Sequence, residues 1–171
     1  MTTTIGRRGL LGMLVGLPLA ACVAETAPPS RRMARFREVR VDTSPFAAKG
    51  VSNYAAKVAG RLRIAVAEAF AGRLVPGDGG APVLVIEVSE VRLASGVGGS
   101  SHGMFDRSES DDIMVGALVP TSAKGTVIER RRHFASNDAA AAGDWRAPDN
   151  EERRLEALCR LYAAWAVREF E

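Results

Sequence analysis

The chain is poor in the residues that staple or metallate small folds. It has two cysteines and two histidines in 171 residues. Two cysteines exclude a disulfide scaffold, and two histidines argue against a histidine-rich metal site. Aromatics are 6% of the chain. No apolar run reaches the roughly 20 residues needed to cross a bilayer as a helix. What is present is ordinary for a globular fold: 47% apolar and 25% charged residues, with a formal net charge of +3. That composition excludes wholesale disorder, and the length suits one compact domain.

The start of the chain is unlike the rest. Residues 1–9 contain Arg7 and Arg8 and no acid. Residues 10–21 (LLGMLVGLPLAA) form a short apolar core with Pro18 near its end. A charged start followed by a short apolar core reads as a secretory signal peptide. The core ends in Leu19-Ala20-Ala21-Cys22. This resembles the bacterial lipobox. The resemblance implies lipidation of the Cys22 thiol (thioether-linked diacylglycerol, with palmitate among the acyl chains). It also implies recognition of Leu19, Ala20 and Ala21 by the signal peptidase. The competing reading is an ordinary signal peptide with an incidental cysteine. Gly6-Arg7-Arg8-Gly9-Leu10-Leu11 is similar to a twin-arginine export signal, with a standard charged start as the alternative. Val23 follows the cysteine where an Asp would imply retention at the inner membrane. The lipoprotein resemblance therefore implies anchoring in the outer membrane, facing the periplasm.

Removal of the signal takes Arg7 and Arg8 with it and lowers the formal charge to +1. The basic isoelectric point is then no argument for nucleic-acid binding. Cys159 becomes the remaining thiol and is expected as a small buried apolar residue. Residues 22–33, with Pro28 and Pro29, read as the lipidated tether. Residues 34–171 read as a single α+β domain.

Periodicity sets the expected elements. A first strand lies at 35–41, with Phe36 on the face opposite Val39 and Val41. A helix spans 52–74, with Tyr54, Val58, Leu62, Ala65, Val66, Ala69 and Phe70 on its apolar stripe and Ser52 as N-cap. The strand at 82–94 begins apolar on both faces, as a central strand does, and changes parity near Ser89 and Glu90, as a β-bulge would cause. Strands at 113–119 and 126–135 form a hairpin. The fourth carries Glu129, Arg130, Arg131 and Arg132 in a row and suits an edge. A last helix starts at Asp149 with a capping-box-like Glu152, and its stripe is Leu155, Leu158, Tyr162, Trp165 and Phe170. The expected fold is a two-layer α+β sandwich, β-α-β-β-β-α, with a four-stranded, mostly antiparallel sheet packed on two helices. From Arg35 to Phe170 this order resembles the lipopolysaccharide-assembly lipoprotein family and the N-terminal domain of the Tol system's propeller protein, as topology.

Residues 95–112 (SGVGGSSHGMFDRSESDD) are too long for a simple hairpin. Met104 and Phe105 are candidate apolar anchors for a partner. Ser100, Ser101 and His102 lack the held geometry of a catalytic triad, and Asp106, Glu109, Asp111 and Asp112 lack calcium-loop spacing. His102, His133 and Cys159 make a poor zinc set. No catalytic residue, metal site or cofactor is expected. Arg130 and Arg132 are candidates for an anionic surface, such as lipid headgroups, lipopolysaccharide phosphate or an acidic partner, and Trp145 for an interface anchor. The sequence therefore points to a non-enzymatic binding or assembly module of the cell envelope. The alternatives are a lipid or lipopolysaccharide carrier, with an open apolar pocket between sheet and helices, and a hydrolase.

Overall fold

A computed structural model describes residues 35–94, 111–144 and 146–171. The proposed signal, lipobox and tether, Met104, Phe105, the serines and His102 of the long connection, and Trp145 lie outside the described residues.

Four strands form one open sheet in the order β1 (Glu38–Asp42), β2 (Val83–Arg92), β3 (Asp111–Thr121) and β4 (Arg131–Asp138). β1 runs parallel to β2, and the pairs β2–β3 and β3–β4 are antiparallel. The parallel pair needs a crossover, which a short helix α1 (Ser44–Ala47) and the long helix α2 (Ser52–Ala69) provide. Helix α3 (Asn150–Arg168) closes the domain. This is the expected α+β plan, with β2 central and β4 at an edge.

Side chains alternate across each strand, so only one face of the sheet meets the helices. Leu84, Ile86, Val88, Met114, Leu118 and Ala135 point into the core, where Val58, Leu62, Val66, Leu155, Leu158 and Tyr162 meet them. The Val88/Glu90 register shift is the expected bulge, and it returns Val91 to the core side. Burial of an aliphatic side chain stabilises by about 1.5–3 kcal/mol, so this layer is the main source of stability.

Several local expectations change. Residues 42–45 form an Asx turn, Ser44 N–H to Asp42 Oδ1 at 2.8 Å, leading into α1 rather than a simple break. Ser52 is the first residue of α2 and caps nothing, because Gly50 at φ 87° brings the chain straight into the helix through Val51. The helix stops at Ala69, and a 3₁₀ turn (Ala71–Arg73) takes the remainder of the expected length. Asp149 sits at the start of α3 but makes no side-chain cap. Its carboxylate pairs with Arg153 at 3.1 Å, while Glu152 is drawn across to Lys57 and Arg61 of α2. Phe36 precedes β1 and turns inward through a bridge to Leu74, meeting the Phe70 and Phe170 rings edge-on at 6.1 and 5.1 Å. Trp165 lies half-buried at the margin of the core, and the α3 stripe runs through Cys159, Ala163 and Ala166 instead.

β4 begins at Arg131, later than expected. The ladder to β3 ends at Leu118↔Arg131, short of Pro120, which has no N–H to donate. Residues 122–130 form an arm, held by the Thr121↔Val127 bridge and by Ile128 N–H to the Pro120 carbonyl at 2.9 Å. Arg130 therefore belongs to the arm, not to the strand.

Candidate binding surface

The second face of the sheet carries no helix. Glu38 and Arg40 of β1 lie there, with Val83, Val85 and Glu87 of β2, Ile113, Val115, Ala117 and Val119 of β3, and Arg132 and Phe134 of β4. Its margins are charged, and in its apolar centre Val85, Ile113 and Val115 are half-buried while Val83, Ala117 and Val119 are buried. Exposed apolar residues lie on the β4 side: Phe134 at 41%, and Val127 of the arm at 57%, which its bridge to Thr121 puts on this face. Phe134 was legible as the partner of Arg132 at period two in the strand. Val127 carried no such signal, because its exposure depends on where the ladder stops.

The three consecutive arginines have different fates. Arg130 reaches across β3 to Glu87 of β2 and forms two hydrogen bonds, at 2.8 and 2.5 Å. Ala117, Val83 and Val119 are buried although they lie on the helix-free face. Arg131 points to the helix side. It grips Glu129 at 2.5 and 2.7 Å, donates to the Glu169 carbonyl at 3.0 Å and stacks 5.6 Å from the Phe170 ring centroid. Its hydrogen bond holds the Glu129 carboxyl below the usual carboxylate range. Arg132 stays on the helix-free face, exposed, with no ion pair among the described residues. Arg130 and Arg132 thus share a face as expected, but only Arg132 is an available cation.

A buried ion pair sits at the end of the sheet. Arg154, in the first turns of α3, donates from Nε to Asp112 Oδ2 at 2.9 Å and from Nη2 to Asp112 Oδ1, and also binds the Ala94 carbonyl at 2.9 Å. The Ala94 N–H donates to Asp112 Oδ1 at 2.9 Å. Asp112 is fully buried and Arg154 nearly so. The carboxylate hydrogen bonds raise the guanidinium pKa above its ordinary value. Ala94 follows the end of β2 and Asp112 lies at the start of β3, so this cluster ties together the two stems of the long connection. Sequence reading placed Asp112 in an acidic loop end. Nothing local distinguishes it from Asp111, and its partner is 42 residues away.

The remaining reactive side chains are packed as core. His133 is buried, its Nε2 3.0 Å from the Tyr162 carbonyl and its ring 4.4 Å from the Tyr162 ring. Burial lowers its pKa. Burial pushes the Cys159 thiol up to about 12, which keeps it protonated and unreactive. Among the described residues, no group of acids, histidines and cysteines converges as metal ligands. A shallow depression of about 50 Å³ lies between α2 and α3, lined by Arg61, Ile64, Ala65, Glu68, Glu156 and Arg160. The space between sheet and helices, where a carrier would hold an acyl chain, is occupied by fully buried Leu62, Leu84, Leu118, Leu155 and Leu158.

No protein-family model matches the chain, and no curated protein is significantly similar to it in sequence. The chain is similar in structure to a solved minor lipoprotein from Acinetobacter baumannii, with 13% identity and a TM-score of 0.41, over 78% of this chain and 91% of that one.

Proposed function

We propose that the protein is a non-enzymatic lipoprotein of the bacterial envelope, anchored through Cys22 in the outer membrane and facing the periplasm. Its domain binds another envelope protein on the helix-free face of the sheet. The observation that carries the anchor is the run Leu19-Ala20-Ala21-Cys22 behind a short apolar core. The exposed Phe134 and Val127 beside the charged margin of the sheet face support binding rather than catalysis. The tight filling of the layer between sheet and helices favours this reading over the carrier.

Two measurements test it in cells. Labelled palmitate is expected on the wild-type chain and not on Cys22→Ser, which should also leave the membrane fraction. Incorporation that survives Cys22→Ser would overturn the anchor. A photo-crosslinking residue at Val127, which its bridge to Thr121 puts on the helix-free face, is expected to capture one envelope protein. The same probe at Ile64, exposed on α2, is expected to capture none. Equal capture from both positions would remove the helix-free face as the binding surface.

A further inference from the structure

We propose that β4 is a self-association edge, along which two copies of the chain pair antiparallel with Arg132 of each opposite Asp138 of the other. This goes beyond the proposed function and does not depend on the lipid anchor.

The sheet order ends at β4, so its outer edge has no neighbouring strand among the described residues. A free edge is a template for another strand, and proteins commonly guard it with charge. Here the guard is incomplete. Arg131 is turned to the helix side and held by Glu129 and the Glu169 carbonyl. Arg130 is held by Glu87. Arg132 and Asp138 remain, both exposed on the helix-free face, and neither has an ion pair among the described residues. The Asp138 carboxylate accepts one hydrogen bond, from the Ala140 N–H at 2.8 Å, and has acceptor capacity left.

Geometry then restricts the register. Directly opposed residues in an antiparallel pair point to the same face, so a two-fold axis must pass through a residue position rather than between two residues. With the axis at Ala135, Phe134 faces Ser136, His133 faces Asn137 and Arg132 faces Asp138. The symmetry produces the Arg–Asp pair twice. Moving the axis to Phe134 places Arg132 against Ser136 and brings Asp138 to Arg130, which Glu87 already neutralises. Moving it to Ser136 places Asp138 against Phe134. Only the register centred on Ala135 sets the two unpaired charges against each other. The product is an eight-stranded sheet with all helices on one side. The helix-free faces of the two copies then form one continuous surface.

The test is charge reversal with rescue. The full chain, purified in mild detergent whether or not it carries a lipid, is examined by sedimentation equilibrium through the micromolar range. The parent is expected to dimerise. Arg132→Glu and Asp138→Lys are each expected to weaken the dimer by about tenfold or more, since each opposes like charges twice. The double variant is expected to recover most of the parent affinity. Asp138→Asn keeps the oxygen that the Ala140 N–H needs, so its intermediate weakening separates loss of charge from loss of the local turn. Thermal melting of each variant verifies the fold. A monomeric parent overturns the proposal. So does a dimer indifferent to both reversals, which would lie on another surface, or two weakened single variants that the double fails to rescue.

Discussion

Arg154 of α3 and Asp112 of β3 form a bidentate ion pair inside the domain, and the same two side chains satisfy both the N–H and the carbonyl of Ala94. The pair joins the start of α3 to the stems of the long connection between β2 and β3. Two links are involved. Topology brings residues 94, 112 and 154 together, and the charges then pay for their burial only as a complete set.

This arrangement predicts an asymmetric mutational response. Removing one partner leaves an uncompensated buried charge, which costs about 3–5 kcal/mol. Asp112→Asn and Arg154→Met are each expected to fall in that range in urea unfolding. Many buried ion pairs can be replaced by apolar residues at little cost. Here the double replacement Asp112→Leu with Arg154→Met still leaves the Ala94 N–H and carbonyl unpaired. It should therefore remain destabilised by about 1–3 kcal/mol. A double variant as stable as the parent would show that the backbone groups find other partners.

Gly116 marks a second tight contact. It lies opposite Val88, where the register shifts, and the Tyr162 hydroxyl donates to the Glu87 carbonyl at 3.0 Å beside it. A Cβ on residue 116 would lie 1.8 Å from the Glu87 oxygen and 2.6 Å from the Tyr162 hydroxyl. Gly116→Ala therefore has to separate β2 from β3, with a cost at or above the ~3 kcal/mol upper range of overpacking. Tyr162→Phe removes one hydrogen bond and is expected to cost about 1 kcal/mol. It should not rescue Gly116→Ala, because the nearer obstacle is backbone. Rescue measured in the double variant would identify the tyrosine as the obstacle instead.

These two contacts also show what could be read from the chain. Strand alternation and helical spacing placed β2, the bulge, α2 and α3, because each is a local repeat of apolar residues. The parity change at Val91 was visible for the same reason. Arg154 was not visible as a buried residue. It sits among Glu151, Glu152 and Arg153 on a charged helix start, and only the return of the chain to Asp112 buries it. The three arginines from 130 to 132 read alike, yet Glu87, Glu129 and the helix-free face sort them. Strand parity gave the first division, and the contacts of Glu87, 43 residues away, gave the second. The capping box failed because Asp149 pairs within its own helix with Arg153, while Glu152 is drawn to Arg61 of α2, 91 residues away.

His133 predicts how stability depends on pH. It is buried on the helix side of β4, beneath the Tyr162 ring, and desolvation is the largest influence on its charge. The Tyr162 carbonyl and the negative charge of Glu169 favour the protonated form but do not offset that loss, so the folded pKa lies below the ordinary 6.5. Below about pH 6.5 the unfolded chain therefore binds a proton that the folded chain resists. Stability is full above the unfolded value and falls as the pH drops toward the folded one. Thermal melting between pH 7 and pH 5 should show this decline before most carboxylates titrate. His133→Gln keeps an N–H donor for the Tyr162 carbonyl and has no charge to gain. It should melt lower than the parent at pH 7, from imperfect packing, but lose less on acidification over the same interval. Parallel pH profiles for parent and variant would mean that His133 is protonated in the fold without penalty.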